Sequence, residues 1–140
     1  MVILIAEDEG LIAFALEWAL RLAGHQVLGP VDTVAAALDL VERKRPDLAF
    51  VDLDLRHGDD GADLAHHLHE RFGTPVLFTS ARVAHARKNR HVALGLIPKP
   101  YDTDQILDVV SFVGDIAQGT RPPRIPSQVE FFQPISERRA

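Results

Sequence analysis

The sequence predicts a doubly wound α/β domain on a five-stranded parallel sheet, and three observations carry that prediction. Five short apolar runs alternate with segments of helical spacing, the order of repeated βα units joined by right-handed crossovers. The first run, Val2 to Ala6, is apolar without alternation, as suits a strand buried on both faces. Polar or turn residues follow the runs: Glu7-Asp8, Gly29-Pro30, Asp52, Thr79-Ser80 and Pro98-Lys99. Folds of this class bind ligands at the carboxyl ends of their strands, so these residues are where chemistry is expected.

The elements follow in order. After Val2 to Ala6, a helix is predicted from Leu11 to Ala23, stopped by Gly24, a favoured C-terminal cap. A strand at Gln26 to Leu28 precedes Gly29-Pro30, and a second helix from Val34 to Lys44 stops before Pro46. Leu48 to Val51 forms the third strand. The third helix, Ala62 to Arg71, puts Leu64, Ala65, Leu68 and Phe72 on one side. Val76 to Phe78 follows Thr74-Pro75 as the fourth strand. Ala81 to His91 is poor in apolar residues and predicts a short, loosely packed helix, after which Leu96-Ile97 forms the fifth strand. The last helix, Thr103 to Ala117, opens with Asp102 three residues before Gln105, as in a capping box, and buries Ile106, Leu107, Val110, Val113 and Ile116.

Composition bounds the function. The 140 residues are 46% hydrophobic and 25% charged, the balance of a globular protein able to bury a core without staples. The absence of cysteine excludes disulfides, thiolate metal sites and cysteine nucleophiles. The apolar start is too short and too acidic for a signal peptide or membrane span, which leads to the expectation of a cytoplasmic protein with no membrane contact. Residues 1–117 hold 11 basic and 18 acidic side chains, whereas 118–140 hold 4 and 2. A nucleic-acid domain is usually basic, so no DNA-binding domain is expected. The tail carries four of the nine prolines, Pro122, Pro123, Pro126 and Pro134, and the domain boundary is placed at 117/118.

Glu7, Asp8, Asp52, Asp54, Ser80 and Lys99 converge at the strand ends. Each has an ordinary reading alone: an acid as a turn residue, Ser80 and Thr79 as caps, Lys99 as solvated surface. Together they make a cluster of carboxylates that would take up protons without a cation, and an oxygen-only donor set suits Mg²⁺.

In order and spacing, Ile-Ala-Glu7-Asp8-Glu, Leu-Ala-Phe-Val-Asp52-Leu-Asp54-Leu, Phe-Thr-Ser80-Ala and Pro-Lys99-Pro100-Tyr resemble the receiver domain of two-component response regulators, over about residues 1 to 117. The resemblance implies the flavodoxin-like (βα)5 receiver fold and a phosphorelay protein, with Asp52 as phosphate acceptor. Glu7, Asp8 and Asp52 would hold Mg²⁺, directly or through water, and the backbone carbonyl of Asp54 would complete its shell. Ser80 and Lys99 would each meet a phosphoryl oxygen, and the Lys99-Pro100 bond would be cis. The implied partners are a histidine kinase or histidine phosphotransfer protein and a downstream protein target. The implied catalysis is limited to the domain's own phosphoryl transfer and autodephosphorylation.

Three departures stand out. Leu96 occupies the place where the family usually has a switching Tyr or Phe. The loop Leu55-Arg56-His57-Gly58-Asp59-Asp60-Gly61 has Arg where proline is common and one extra residue. Asp54 and Arg82, each two residues beyond a site residue, are expected to face each other at the pocket mouth and screen the acyl phosphate from water.

Of the remaining features, His66, His67 and His69 are read as a solvated face rather than a metal site, because Leu64 and Leu68 set the buried stripe. The run Arg82, His85, Arg87, Lys88, Arg90, His91 is read as a solvated helix, with partner docking as the other reading. Val129, Phe131, Phe132 and Ile135 are costly to leave in water and are expected to pack on the domain or on a second copy, as a homodimer. No effector domain fits in 23 residues, so the expectation is a stand-alone receiver that switches a protein contact. The alternatives are a receiver-fold binding module working without phosphorylation, and a haloacid-dehalogenase-type phosphatase using Asp52-Leu-Asp54 as its Asp-x-Asp pair.

Overall fold

The structure is a computed structural model that describes residues 1–120 and 124–133. Five parallel strands, β1 (Val2–Ala6), β2 (Gln26–Val31), β3 (Leu48–Val51), β4 (Val76–Ser80) and β5 (Gly95–Pro98), are joined by antiparallel β6 (Glu130–Phe131) in the order β2-β1-β3-β4-β5-β6. The helices are α1 (Gly10–Leu22), α2 (Val34–Arg43), α3 (Gly61–His67), α4 (Val83–Lys88) and α5 (Thr103–Ala117). The sheet is therefore mixed and six-stranded, where five parallel strands were expected.

Strand alternation divides the core. Ile3, Ile5, Leu48, Phe50, Leu77 and Ile97 point to one face, where they meet Leu16 and Leu20 of α1 and Ile106, Val109 and Val110 of α5. Leu4, Ala6, Ala49, Val51, Val76, Phe78 and Leu96 point to the other, against Ala37 and Val41 of α2, Leu64 and Ala65 of α3, Leu68 just after it, and Ala86 of α4. Ile3, Leu4 and Ile5 are fully buried, which is why β1 is apolar at every position. Burying each such side chain contributes roughly 1.5–3 kcal/mol, so the doubly covered strands anchor the sheet and fix where their carboxyl ends lie.

Local differences from the sequence reading have physical causes. β2 runs on through Gly29-Pro30 to Val31 because it is an edge strand, where a proline costs no ladder bond; the register with β1 shifts there between Leu4 and Ala6. α3 gives way to a π-turn at Leu68–Phe72, ended by Gly73 in the left-handed region. α5 has its capping box, with Asp102 N–H donating to Gln105 Oε1 at 3.0 Å. Of its expected core, Ile106 and Val110 are buried and Leu107, Val113 and Ile116 half-buried, while Val109 and Phe112, which the apolar spacing alone did not single out, are buried as well. No helix among the described residues is long and apolar enough to cross a membrane.

Candidate functional site

β1, β3, β4 and β5 each deliver a polar group to the same end of the sheet. Glu7 directly follows β1 and is 4% exposed, Asp52 follows β3 at 3%, Ser80 ends β4 at 1%, and Lys99 follows β5. Lys99 Nζ lies between the two buried acids, donating to Asp52 Oδ2 at 2.9 Å and standing 2.8 Å from Glu7 Oε1. Asp52 Oδ1 accepts from Asp54 N–H at 3.1 Å, and Glu7 Oε2 accepts from Glu9 N–H at 3.1 Å. One half-buried cation thus faces two buried carboxylates, with exposed Asp8 alongside.

The acids fit a divalent cation on their own terms. Carboxylate oxygens of Glu7, Asp8 and Asp52 lie within 4.8 Å of one another. Glu7 Oε1 is buried and accepts no hydrogen bond, so the nearby ammonium is its only compensation. Hard oxygen donors of this kind select Mg²⁺ or Ca²⁺ over softer metals.

The local backbone is shaped around Asp52. A Cβ at Gly61 would run into the carbonyl oxygen of Asp52, so the start of α3 approaches the end of β3 as only glycine allows. The unusual loop between them is held by an antiparallel bridge between Asp54 and Asp60, by Asp59 Oδ2 accepting from Val34 N–H at 2.9 Å, and by a turn at Arg56–Gly58 with His57 at φ 60°. Arg56 closes the rim by pairing with Asp32 at 2.7 Å.

Burial pushes the Glu7 carboxyl up to about 7, with the hydrogen bond and charge of Asp52 acting in the same direction and Lys99 opposing them. A carboxyl raised in the folded state keeps a proton that the unfolded chain has released. Stability without metal is therefore full below the ordinary value of 4.5 and falls as pH rises to about 7. The loss amounts to up to about 3 kcal/mol from this group. Chemical denaturation in chelator at pH 5 and pH 8 checks this: the expected midpoint is higher at pH 5.

The other predicted residues are placed as follows. Ser80 Oγ accepts from Arg82 N–H at 2.9 Å, and Ser80 O accepts from Lys99 N–H at 3.1 Å, so the β4 and β5 ends are tied together. Arg82 Nη1 donates to Asp54 Oδ1 at 2.9 Å at the exposed mouth. The exposed Asp54 carboxylate is thus engaged by a guanidinium, which gives no support to a general-acid role in an Asp-x-Asp phosphatase. Leu96 is fully buried within the core face carrying α4. The Lys99-Pro100 peptide is cis, and so is Gly29-Pro30.

Some neighbours went unread in the sequence. Tyr101 Oη is buried with no hydrogen bond, and burial pushes its hydroxyl up to about 12, helped by the charge of Glu7. The motif ending in Tyr101 was visible, but its burial depends on how α5 docks. Of the basic run, Arg82, His85 and Arg87 pair with Asp54, Asp60 and Glu130, Arg90 donates to Arg87 O and His91 meets the His66 ring edge-on, so most of it is engaged within the chain. His66 bonds Asn89 while His67 and His69 are exposed, and the only metal-competent cluster among the described residues is Glu7, Asp8 and Asp52. Val129, Phe131 and Phe132 are partly buried against the domain; Ile135, Pro122, Pro123 and Pro134 lie outside the described residues.

The family model described as response regulator receiver domain matches residues 3–111. The phyllosphere-induced regulator PhyR of Methylorubrum extorquens is 36% identical over 111 residues, covering 78% of this chain and 42% of PhyR. The crystal structure of the response regulator PhyR from Brucella abortus superposes with a TM-score of 0.71 at 28% identity, over 84% of this chain and 50% of that one. A CheY-like receiver domain protein from Methanospirillum hungatei shares the fold, with a TM-score of 0.73 at 20% identity, over 84% of this chain and 95% of that one. The chain spans less than half the length of the curated PhyR it matches.

Proposed function

The chain belongs to the response regulator receiver family, and from that premise we propose that Asp52 accepts a phosphoryl group from a phosphohistidine donor and thereby switches a protein contact. The observation that carries this reading is the burial of Asp52 against Lys99 beside Glu7 and Asp8, at the carboxyl end of the central strand. A carboxylate attacking phosphorus meets an anion, and fixed positive charge must offset that repulsion. Mg²⁺ held by Glu7, Asp8, Asp52 and the carbonyl of Asp54 would neutralise phosphoryl oxygens and orient the group in line.

The chain's own residues do the rest. An Asp52 carboxylate oxygen forms the bond to phosphorus as the phosphorus–nitrogen bond to the donor imidazole breaks, and the imidazole takes up a proton. Lys99 shifts from pairing with Asp52 to pairing with a phosphoryl oxygen. Ser80 gives up its bond with Arg82 N–H to donate to another, drawing the loop that leads into α4 inward. Coupling of this kind is worth about 1–3 kcal/mol, enough to shift a pre-existing equilibrium without refolding. Because Leu96 is already buried, the motion reaches the α4 face through the loop and not through a swinging ring.

A protein donor has a place to seat. Phe14 lines both the groove over Glu7 and Asp8 and an apolar hollow with Trp18, Leu22 and Leu107, and Phe14, Trp18 and Leu22 are exposed on α1. The test of the function is intact mass after incubation with a small phosphodonor: one phosphoryl group gained with Mg²⁺ and none with chelator. Absence of both an adduct and released phosphate would refute the reading.

The Arg82–Asp54 pair sets the lifetime of the acyl phosphate by covering its mouth. An exposed pair is worth at most about 1 kcal/mol, so Arg82→Ala is expected to speed autodephosphorylation by about fivefold or less. The decay of the phosphorylated mass measures this directly, and an unchanged rate would remove the role.

A further inference from the structure

β6 lies on the edge of β5 in a setting built for an extended chain. Leu96 pairs with Glu130 and Gly95 with Phe131, and Phe132 N–H donates to Leu94 O at 2.9 Å. Arg87 of α4 grips the Glu130 carboxylate with Nε and Nη2 at 2.8 and 2.6 Å. The Phe131 ring stands 5.4 Å from Phe112 of α5, while Val129 and Phe132 pack towards opposite faces of the sheet. A Cβ at Gly95 would fall 2.5 Å from Glu130 O, so a side chain there would block the passing backbone.

We propose that the β5 edge between α4 and α5 is a strand-accepting groove for an extended protein segment bearing a carboxylate followed by aromatic side chains, and that Val129–Phe132 is its exchangeable resident. The chemistry of the partner is read from the resident. Backbone pairing supplies affinity and register, the Arg87 fork selects a carboxylate in bidentate fashion, and Phe112 selects a ring. The resident is held lightly. Its ladder is two residues long, and the Arg87 and Glu130 side chains are 57% and 38% exposed, where an ion pair is screened by water and salt. β5 extends beyond Leu96 to Ile97 and Pro98, so a longer segment has further edge to cover.

The inference does not depend on phosphoryl transfer, and its test is run in chelator without a phosphodonor. The probe is a labelled peptide of residues 127–133, Ser-Gln-Val-Glu-Phe-Phe-Gln, titrated against the full chain by fluorescence anisotropy. In the Glu130→Arg chain the resident is repelled by Arg87, and the peptide is expected to bind about tenfold or more tighter than to wild type. The peptide carrying Glu130→Arg is expected to lose that gain and to prefer the Arg87→Glu chain. Adding Gly95→Val to the Glu130→Arg chain is expected to abolish binding.

Equal binding to wild type and to a folded Glu130→Arg chain would overturn the proposal. Should circular dichroism show that chain unfolded, the Arg87→Glu chain decides alone: no preference for the charge-reversed peptide overturns the groove. Light scattering of the wild type is expected to give a monomer. A dimer that Arg87→Glu dissociates would assign the edge to a second copy and overturn the partner assignment.

Discussion

An Asp52→Asn chain is expected to take up no phosphoryl group and, in chelator at pH 8, to be more stable than wild type by about 1 kcal/mol. Both effects come from one arrangement. Asp52 is the buried carboxylate that follows the central strand and accepts from Lys99, so its loss removes the proposed nucleophile. It also removes a hydrogen bond and a like charge that push the Glu7 carboxyl up, leaving Glu7 alone with the Lys99 ammonium. The amide keeps the shape of the side chain and an acceptor for Asp54 N–H. Denaturation midpoints and intact masses of the two chains check the pair of effects together; a variant that is less stable at pH 8 would show that Asp52 is not under electrostatic strain.

Lys99→Met is the complementary change and carries the larger cost. It leaves Glu7 and Asp52 buried with no cation, and removing one partner of a buried pair costs about 3–5 kcal/mol. The loss is expected in full at pH 8 and to shrink towards pH 5, where Glu7 holds a proton. Added Mg²⁺ at pH 8 is expected to recover part of it by binding the same acids, although phosphoryl uptake stays impaired because no ammonium meets the phosphoryl oxygens. Denaturation at both pH values, with and without Mg²⁺, reads all three arms. A pH-independent loss would mean that Lys99 matters for packing and not for charge.

Much of this was legible in the sequence because it is local. Val2 to Ala6 is apolar throughout because both of its faces are covered, and the residue after such a strand sits at the ligand end whatever the detail of the packing. That placed Glu7, Asp52, Ser80 and Lys99 together before any contact was known, and the two-residue offsets paired Asp54 with Arg82. What escaped depends on long-range fit. Glu130 and Phe131 show no alternation, and their pairing with β5 requires Gly95 to admit the backbone and Arg87 to hold the carboxylate. Phe112 was missed for the same reason, since Phe131 meets it on the side of α5 that the helical spacing assigns to solvent. Pro30 was read as ending a strand, yet it sits within β2 because that strand lies at the sheet edge.

Leu96 bears on the proposed switch. It is fully buried, paired across from Phe78 on one side and from Glu130 on the other. With β6 covering the β5 edge, the proposed switch at Ser80 connects through Arg82 to α4, whose Arg87 holds β6. The acid cluster and the strand groove thus share one short helix.

The most direct measurement is the position of the phosphoryl group. The wild-type chain is phosphorylated by a small donor with Mg²⁺, the acyl phosphate is trapped by borohydride reduction, and peptides are mapped by mass spectrometry. The account predicts a single reduced position, at Asp52, which vanishes with chelator. A group found at another residue, or uptake at Asp52 that ignores the metal, would contradict it.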